Sequence, residues 1–271
     1  MQSRKKKRIL IRLLPIYGCV CTGLIYSAIG IIAILSFLKL KDGGADESSL
    51  LAFLNDFFIG KVFIWIILSG SVCYIAWRIY ETIKDPYAYG SELKGMATRT
   101  AIALSTIADA FIAYAAIQAL SGEGNIQESG QPEKLHQLVR LILQESWGNW
   151  LITSMGSIIF LTAFVQFFYG ITRGYRERLD IAYFSPPQKR IVHILAWTGY
   201  SARGIILGII GFFFMKAGIL QNAEYVVNTD KAFDFIGDHI GHLYFILVAV
   251  GTVFYGLFMF VLGITYDTDK D

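Results

Sequence analysis

Charge is scarce along this chain. Asp, Glu, Lys and Arg make up 17% of 271 residues against 55% hydrophobic residues, and the mean hydropathy is +0.51. That much apolar surface exceeds what one soluble core can hide, which excludes a soluble globular domain. Cysteine is scarcer still: Cys19, Cys21 and Cys73 all fall inside apolar runs, where a reduced thiol packs as a small apolar side chain. Histidine numbers four, and His239 and His242 share a helix face at i and i+3. No Cys or second His pair has ligand spacing, and His193 falls at the opposite end of the membrane from His242, so neither a metal nor a haem cofactor is expected. The chain also lacks a phosphate loop, a nucleophile elbow and a paired-carboxylate signature, so no catalytic residue and no enzymatic activity are expected.

What the sequence has is long apolar runs. Six can be marked, near 15–38, 58–83, 97–120, 147–173, 193–219 and 241–266. Each reaches the roughly 20 residues with which a helix crosses about 30 Å of hydrocarbon. None shows the strict alternation of a barrel strand. Lysine and arginine number fifteen around the N-terminus, the even connections and the tail, against seven around the odd connections. The positive-inside bias predicts that both termini are cytoplasmic. The basic start with its apolar run resembles a signal peptide, but the run is too long and no small-x-small site closes it, so an uncleaved span is expected. Six cations before the first span act as a topology signal and attract anionic headgroups. Nucleic acid is not an expected partner.

The runs are related to one another. A shift of 181 aligns Gly18 with Gly199, Gly23 with Gly204, Gly30 with Gly211, Gly60 with Gly241, Gly70 with Gly251 and Tyr74 with Tyr255. A shift of 104 aligns Gly95 and Arg99 with Gly199 and Arg203, and a shift of 93 aligns Gly148 with Gly241. The difference of eleven is an insertion in the loop "SGEGNIQESGQPEK". The predicted fold is therefore all-α: a polytopic membrane protein of six transmembrane helices, built as three parallel helical hairpins with pseudo-threefold symmetry and both termini inside. A basic N-terminus covers 1–14, the first hairpin 15–90, the second 91–180 with its longer outer loop, and the third 181–271 with a short acidic tail.

The run "WTGYSARGIILGIIGF" with its counterparts, and the Phe-x-Gly or close variant opening each even helix, resembles the bacterial membrane family called domain of unknown function 1206. The resemblance covers nearly the whole chain after residue 15. It implies a helical hairpin occurring three times and lends no established activity. The first hairpin departs from the pattern with Thr22 in place of the arginine, and the second with Thr100 in place of the following glycine.

Gly204, Gly208 and Gly211, copied by Gly23, Ser27 and Gly30, form small-residue stripes that let helix backbones approach closely in lipid. For Arg99 and Arg203 two readings stand. In one, each lies about a turn inside, snorkels to the headgroups and braces a helix end. In the other, threefold symmetry gathers them to hold a carboxylate or phosphate headgroup. Asp109, thirteen positions into its span, is either a functional carboxylate or protonated interhelical glue. Gln118 and Gln166 are expected to make interhelical hydrogen bonds. Lys61, Asn149 and His242 follow the repeated glycine and either ring an opening or meet headgroups. "DESSLLAFLNDFF" and "PEKLHQLVRLILQESW" read as amphipathic helices over the outer leaflet, the second leading into Trp147 and Trp150. Together these features point to a multi-pass protein of the bacterial cytoplasmic membrane in an accessory or scaffold role, partnered by another membrane protein or by itself. The alternative is a small transporter, channel or lipid- or anion-handling protein that uses Asp109 with Arg99 and Arg203.

Overall fold

The computed structural model describes residues 2–39, 44–46, 50–51, 54–55, 58–85, 89–90, 92, 95–96, 99–100, 102–103, 106, 110, 113–114, 117, 120, 133–179, 181 and 183–265. The predicted span at 97–120 lies largely outside them, and Asp109 and Gln118 lie outside them entirely. Among the described residues the chain is helical, with no strand. Its helices are α1 (Gln2–Phe37), α2 (Phe58–Lys84), α3 (Glu133–Leu143), α4 (Gly148–Ile171), α5 (Pro186–Leu220), α6 (Thr229–Phe235) and α7 (His242–Ile264). Short 3-10 turns occupy Gly174–Arg178 and Ala223–Tyr225, and a π turn occupies Ile236–Ile240.

Five of these helices, α1, α2, α4, α5 and α7, are long and apolar enough to cross a membrane. The 23 residues of α7 extend about 34 Å at ~1.5 Å per residue, close to the thickness of the hydrocarbon. Two spans are longer than their apolar runs. The helix α1 continues back to Gln2 through the basic segment. The helix α5 begins at Pro186, seven residues before its run, because Ser185 and Gln188 form a reciprocal capping box ahead of two prolines suited to the first turn. It closes at Gln221, whose φ of 51° turns the chain out of the helix. Gly241, at φ 128°, makes the turn from which α7 starts, a conformation that side chains resist.

The spans pack in a row in which α2 lies against α1, α1 against α7, α7 against α5 and α5 against α4. Within the first hairpin, Gly18 receives Tyr74 and Gly70 receives Cys21. Within the third, Gly199 receives Tyr255 and Gly251 receives Ala202. These are the same contacts displaced by 181 residues.

The joints between hairpins repeat as well. At the α1–α7 joint, a Cβ added at Gly23 would meet the Gly256 carbonyl at 2.9 Å, and one at Gly30 would meet Val253 N at 2.8 Å and the Ala249 carbonyl at 2.9 Å. At the α5–α4 joint, Gly204 faces Phe167 and the Ala163 carbonyl, while a Cβ at Gly211 would lie 2.5 Å from Phe160 N and 2.9 Å from the Gly156 carbonyl. Gly263 sits on Ile16 and Cys19 as Gly170 sits on Trp197 and Tyr200. Every partner corresponds under the offsets read from the glycines alone. The repeat is therefore a repeat of helix-to-helix seams.

Gly208 differs from its neighbours. A Cβ there would meet only the Ala163 Cβ, at 3.7 Å, an ordinary contact. Gly211→Ala is accordingly expected to lower stability by about 1 to 3 kcal/mol, the usual cost of overpacking, and Gly208→Ala to leave it unchanged. Thermal unfolding in detergent measures both, and equal effects of the two substitutions would contradict the seam as described.

Candidate functional site

A charged side chain inside an apolar bundle must find polar or aromatic partners, since desolvating a guanidinium costs several kcal/mol. Arg203 lies 17 residues from either end of α5 and is only 8% exposed. Its guanidinium carbon stands 4.8 Å from the ring centre of Tyr26 on α1 and 4.9 Å from that of Tyr255 on α7, and it donates a hydrogen bond to the Tyr255 hydroxyl. Tyr255 itself is nine residues from the end of α7, about 13 Å along the axis. The side chain turns inward onto two rings. A desolvated cation over a tyrosine face is stabilised by roughly 2 kcal/mol per ring, and the site joins the first hairpin to the third.

The aromatic cluster continues along α5. Tyr200 packs edge-on against Tyr255 at 5.4 Å and against Phe258 at 5.7 Å, and Tyr175 stacks on Tyr200 at 6.2 Å. The Tyr175 hydroxyl lies 3.1 Å from His193 Nδ1, and an Arg176 nitrogen lies 3.1 Å from His193 Nε2. Arginine only donates, so Nε2 is the acceptor and Nδ1–H donates to the tyrosine. This pair secures the 3-10 turn against the start of α5.

In the first hairpin Thr22 is buried at the place of Arg203, yet Tyr74, the counterpart of Tyr255, still has a guanidinium over its ring. It comes from Arg78, one turn further along α2, at 5.0 Å. Arg78 also pairs at 3.4 Å with Glu81, which is fully buried and accepts a hydrogen bond from the Tyr89 hydroxyl at 3.4 Å. The residues at these two places in the third hairpin are Met259 and Leu262. The tyrosine–guanidinium pair is thus common to both hairpins, while the position that supplies the cation is not. Sequence reading counted Arg78 only as a topology charge. Its signal was Tyr74 at i−4 and Glu81 at i+3.

Arg99 does something else. It donates to the carbonyls of Thr82 at 2.8 Å and Ile83 at 3.3 Å, the exposed acceptors at the end of α2. No described contact joins Arg99 to Arg203. Lys61 and His242 are exposed at the starts of α2 and α7, and the His242 ring meets Phe37 edge-on at 5.4 Å. Asn149 is half-buried, and its side chain accepts from Trp150 N at 2.8 Å. No described contact links these three. Gln166 is buried on α4. Among the described residues no three His, Cys, Asp or Glu side chains gather as metal ligands.

A cleft of about 190 Å³ opens where α1 ends and α7 begins. Ser36, Phe37, Ala45 and Phe245 line it together with Asp230, Asp234, Asp238 and His242. The Asp230 carboxylate accepts the Ala45 N–H at 2.6 Å and so ties the first hairpin's loop to the third's. Burial pushes the pKa of Asp230 up to about 6, reinforced by the charges of Asp234 and Asp46 and opposed by the Ala45 hydrogen bond and Lys231. Sequence reading missed this pair, which is separated by 185 residues and carries no motif.

Two predictions follow from these sites. A pKa raised in the folded state stabilises below the unfolded value of 3.8, and that contribution is lost as pH rises to about 6. Asp230→Asn keeps the acceptor for Ala45, so it should raise stability at pH 7 by up to about 3 kcal/mol and flatten the profile between those pH values. A variant that destabilises equally at every pH would contradict this electrostatic account. Separately, Arg78→Met with Glu81→Leu removes the cation from Tyr74, and adding Thr22→Arg should restore most of the lost thermal stability. No recovery would mean that the two hairpins do not share one pair.

The family model described as Domain of Unknown Function (DUF1206) matches residues 17–85 and 198–266, the first and third hairpins. Over 239 residues the chain is 25% identical to the Uncharacterized protein YxxB of Bacillus subtilis (strain 168), covering 86% of this chain and 84% of that protein. No solved structure matches. Half of the chain falls under the family model, in two copies whose internal seams are superimposable residue for residue, and the chain belongs to the DUF1206 family.

Proposed function

We propose that this chain is a non-enzymatic accessory or scaffold protein of the bacterial cytoplasmic membrane, with six spans forming three parallel hairpins around a pseudo-threefold axis and both termini inside. The observation that carries the functional part is the use made of two arginines, Arg203 buried and Arg99 half-buried. Arg203 is engaged by Tyr26 and Tyr255 and Arg99 by the carbonyls ending α2, so the charges that would serve a transport path hold helices together. The sixth span in this reading is the apolar run at 97–120, which the contact of Arg99 with the end of α2 supports. The α1–α7 and α5–α4 joints correspond, which supports a third joint between α2 and that span. Partners of such a protein are lipid, through the basic N-terminus, and another membrane protein or a second copy.

A second reading, a small transporter or lipid- or anion-handling protein, draws on the depth of Arg203 near the middle of α5 and on Asp109. Asp109→Asn separates the two. In the accessory role the variant complements a deletion strain as the parent does, because an amide preserves hydrogen bonding. Failure to complement with unchanged thermal stability would contradict that role and favour transport, since only an ionisable group exchanges charge across the membrane. The topology is tested by cysteines at Gly124 or Asn228, which should react with an impermeant reagent from outside intact cells. Reaction only after lysis would reverse the orientation.

A further inference from the structure

We propose that α3 is an interfacial helix that lies in the membrane–water boundary and holds Leu138 and Leu141 among the lipids beside α4. The inference rests on the spans crossing a bilayer and not on the accessory role.

Three faces of α3 can be distinguished. The first carries Leu135, Val139 and Ile142, which pack with Ile152 on α4, Phe214 on α5 and Val226 in a small core of their own. The second is polar: His136 Nε2 lies 2.8 Å from the Val226 carbonyl, and Arg140 pairs with Glu224. These contacts fix the helix in rotation against the loop after α5. The third face is left over. It presents Leu138 and Leu141, 51% and 62% exposed, although both are leucines on a helix already anchored through its other sides.

The surroundings identify what covers them. The chain passes from α3 through exposed Trp147 into α4, where Trp150 is 75% exposed. Below it Leu161, Phe164 and Phe168 continue an exposed apolar stripe down α4, the face that a membrane span turns to lipid. Leu141 precedes Trp147 by only six residues, so the leucine pair and the exposed tryptophans belong to one turn of chain leading into α4. Tryptophans at this level are where an indole places its ring in the acyl region and its N–H among headgroups. A helix with one apolar side, lying across the end of a span at that depth, buries its leucines in the headgroup–acyl boundary. A soluble partner would instead have to reach past the tryptophans into the headgroups.

The test uses single nitroxide labels on the whole chain in vesicles of phosphatidylcholine with phosphatidylglycerol. Leu138→Cys and Leu141→Cys report the leucine face, and Gln137→Cys and Gln144→Cys report exposed polar residues on and just after the helix. Labels at 138 and 141 should be more accessible to dissolved oxygen than to a water-soluble nickel chelate, with the ratio inverted at 137 and 144. Two results would overturn the inference: nickel access at all four sites, which places α3 in water, or shielding of 138 and 141 from both reagents, which places protein over them. Thermal stability of each labelled variant close to the parent's establishes that the fold is intact.

Discussion

The structure depends on backbone meeting backbone. In lipid there is no water to expel between apolar helices, so association draws on van der Waals contact, and that contact is greatest where no side chain separates two helices. Gly23 against Gly256 and Gly211 against Gly156 provide it at two joints between hairpins. Each described joint brings the first span of one hairpin against the second span of another. The α1–α7 contact joins the third hairpin to the first. It also determines where polar groups can be housed, because the residues beside the seam face a neighbour at fixed distance.

Arg203 occupies that protected space, and Arg78 is shielded on α2. Burying a guanidinium is unfavourable by several kcal/mol, and tyrosines compensate by presenting π faces and, at Tyr255, a hydroxyl acceptor. Two hairpins keep the tyrosine and draw the cation from different helices. With the pair met through Arg78, the first hairpin holds Thr22 where the third holds Arg203. Arg99 shows the third outcome, in which the cation instead caps a helix end.

Much of this was legible because it is periodic. The glycine offsets give the hairpins and the correspondence between the two described joints, since equal spacing in sequence becomes equal height along packed helices. The start of α5 was not legible. An apolar run marks where lipid is tolerated, whereas Ser185 and Gln188 decide where the helix begins. The Arg78–Tyr74 pair escaped for a related reason: alignment compares equivalent positions, and here a function has moved one turn along another helix. The Asp230–Ala45 contact joins loops whose sequences share nothing. Gly208 looked like its neighbours in spacing but faces only the side chain of Ala163.

The most direct test of this architecture is a disulfide across the α1–α7 joint. With Cys21 and Cys73 replaced by alanine, Gly263→Cys puts a second thiol opposite the native Cys19, its Cβ 3.3 Å from the Cys19 Cβ where α1 meets α7. Oxidation in native membranes should link them within one molecule, giving a faster-migrating species that a protease cut between the hairpins leaves joined until reduction. Absence of that link, or a link formed only between two molecules, would contradict the closure of the third hairpin onto the first.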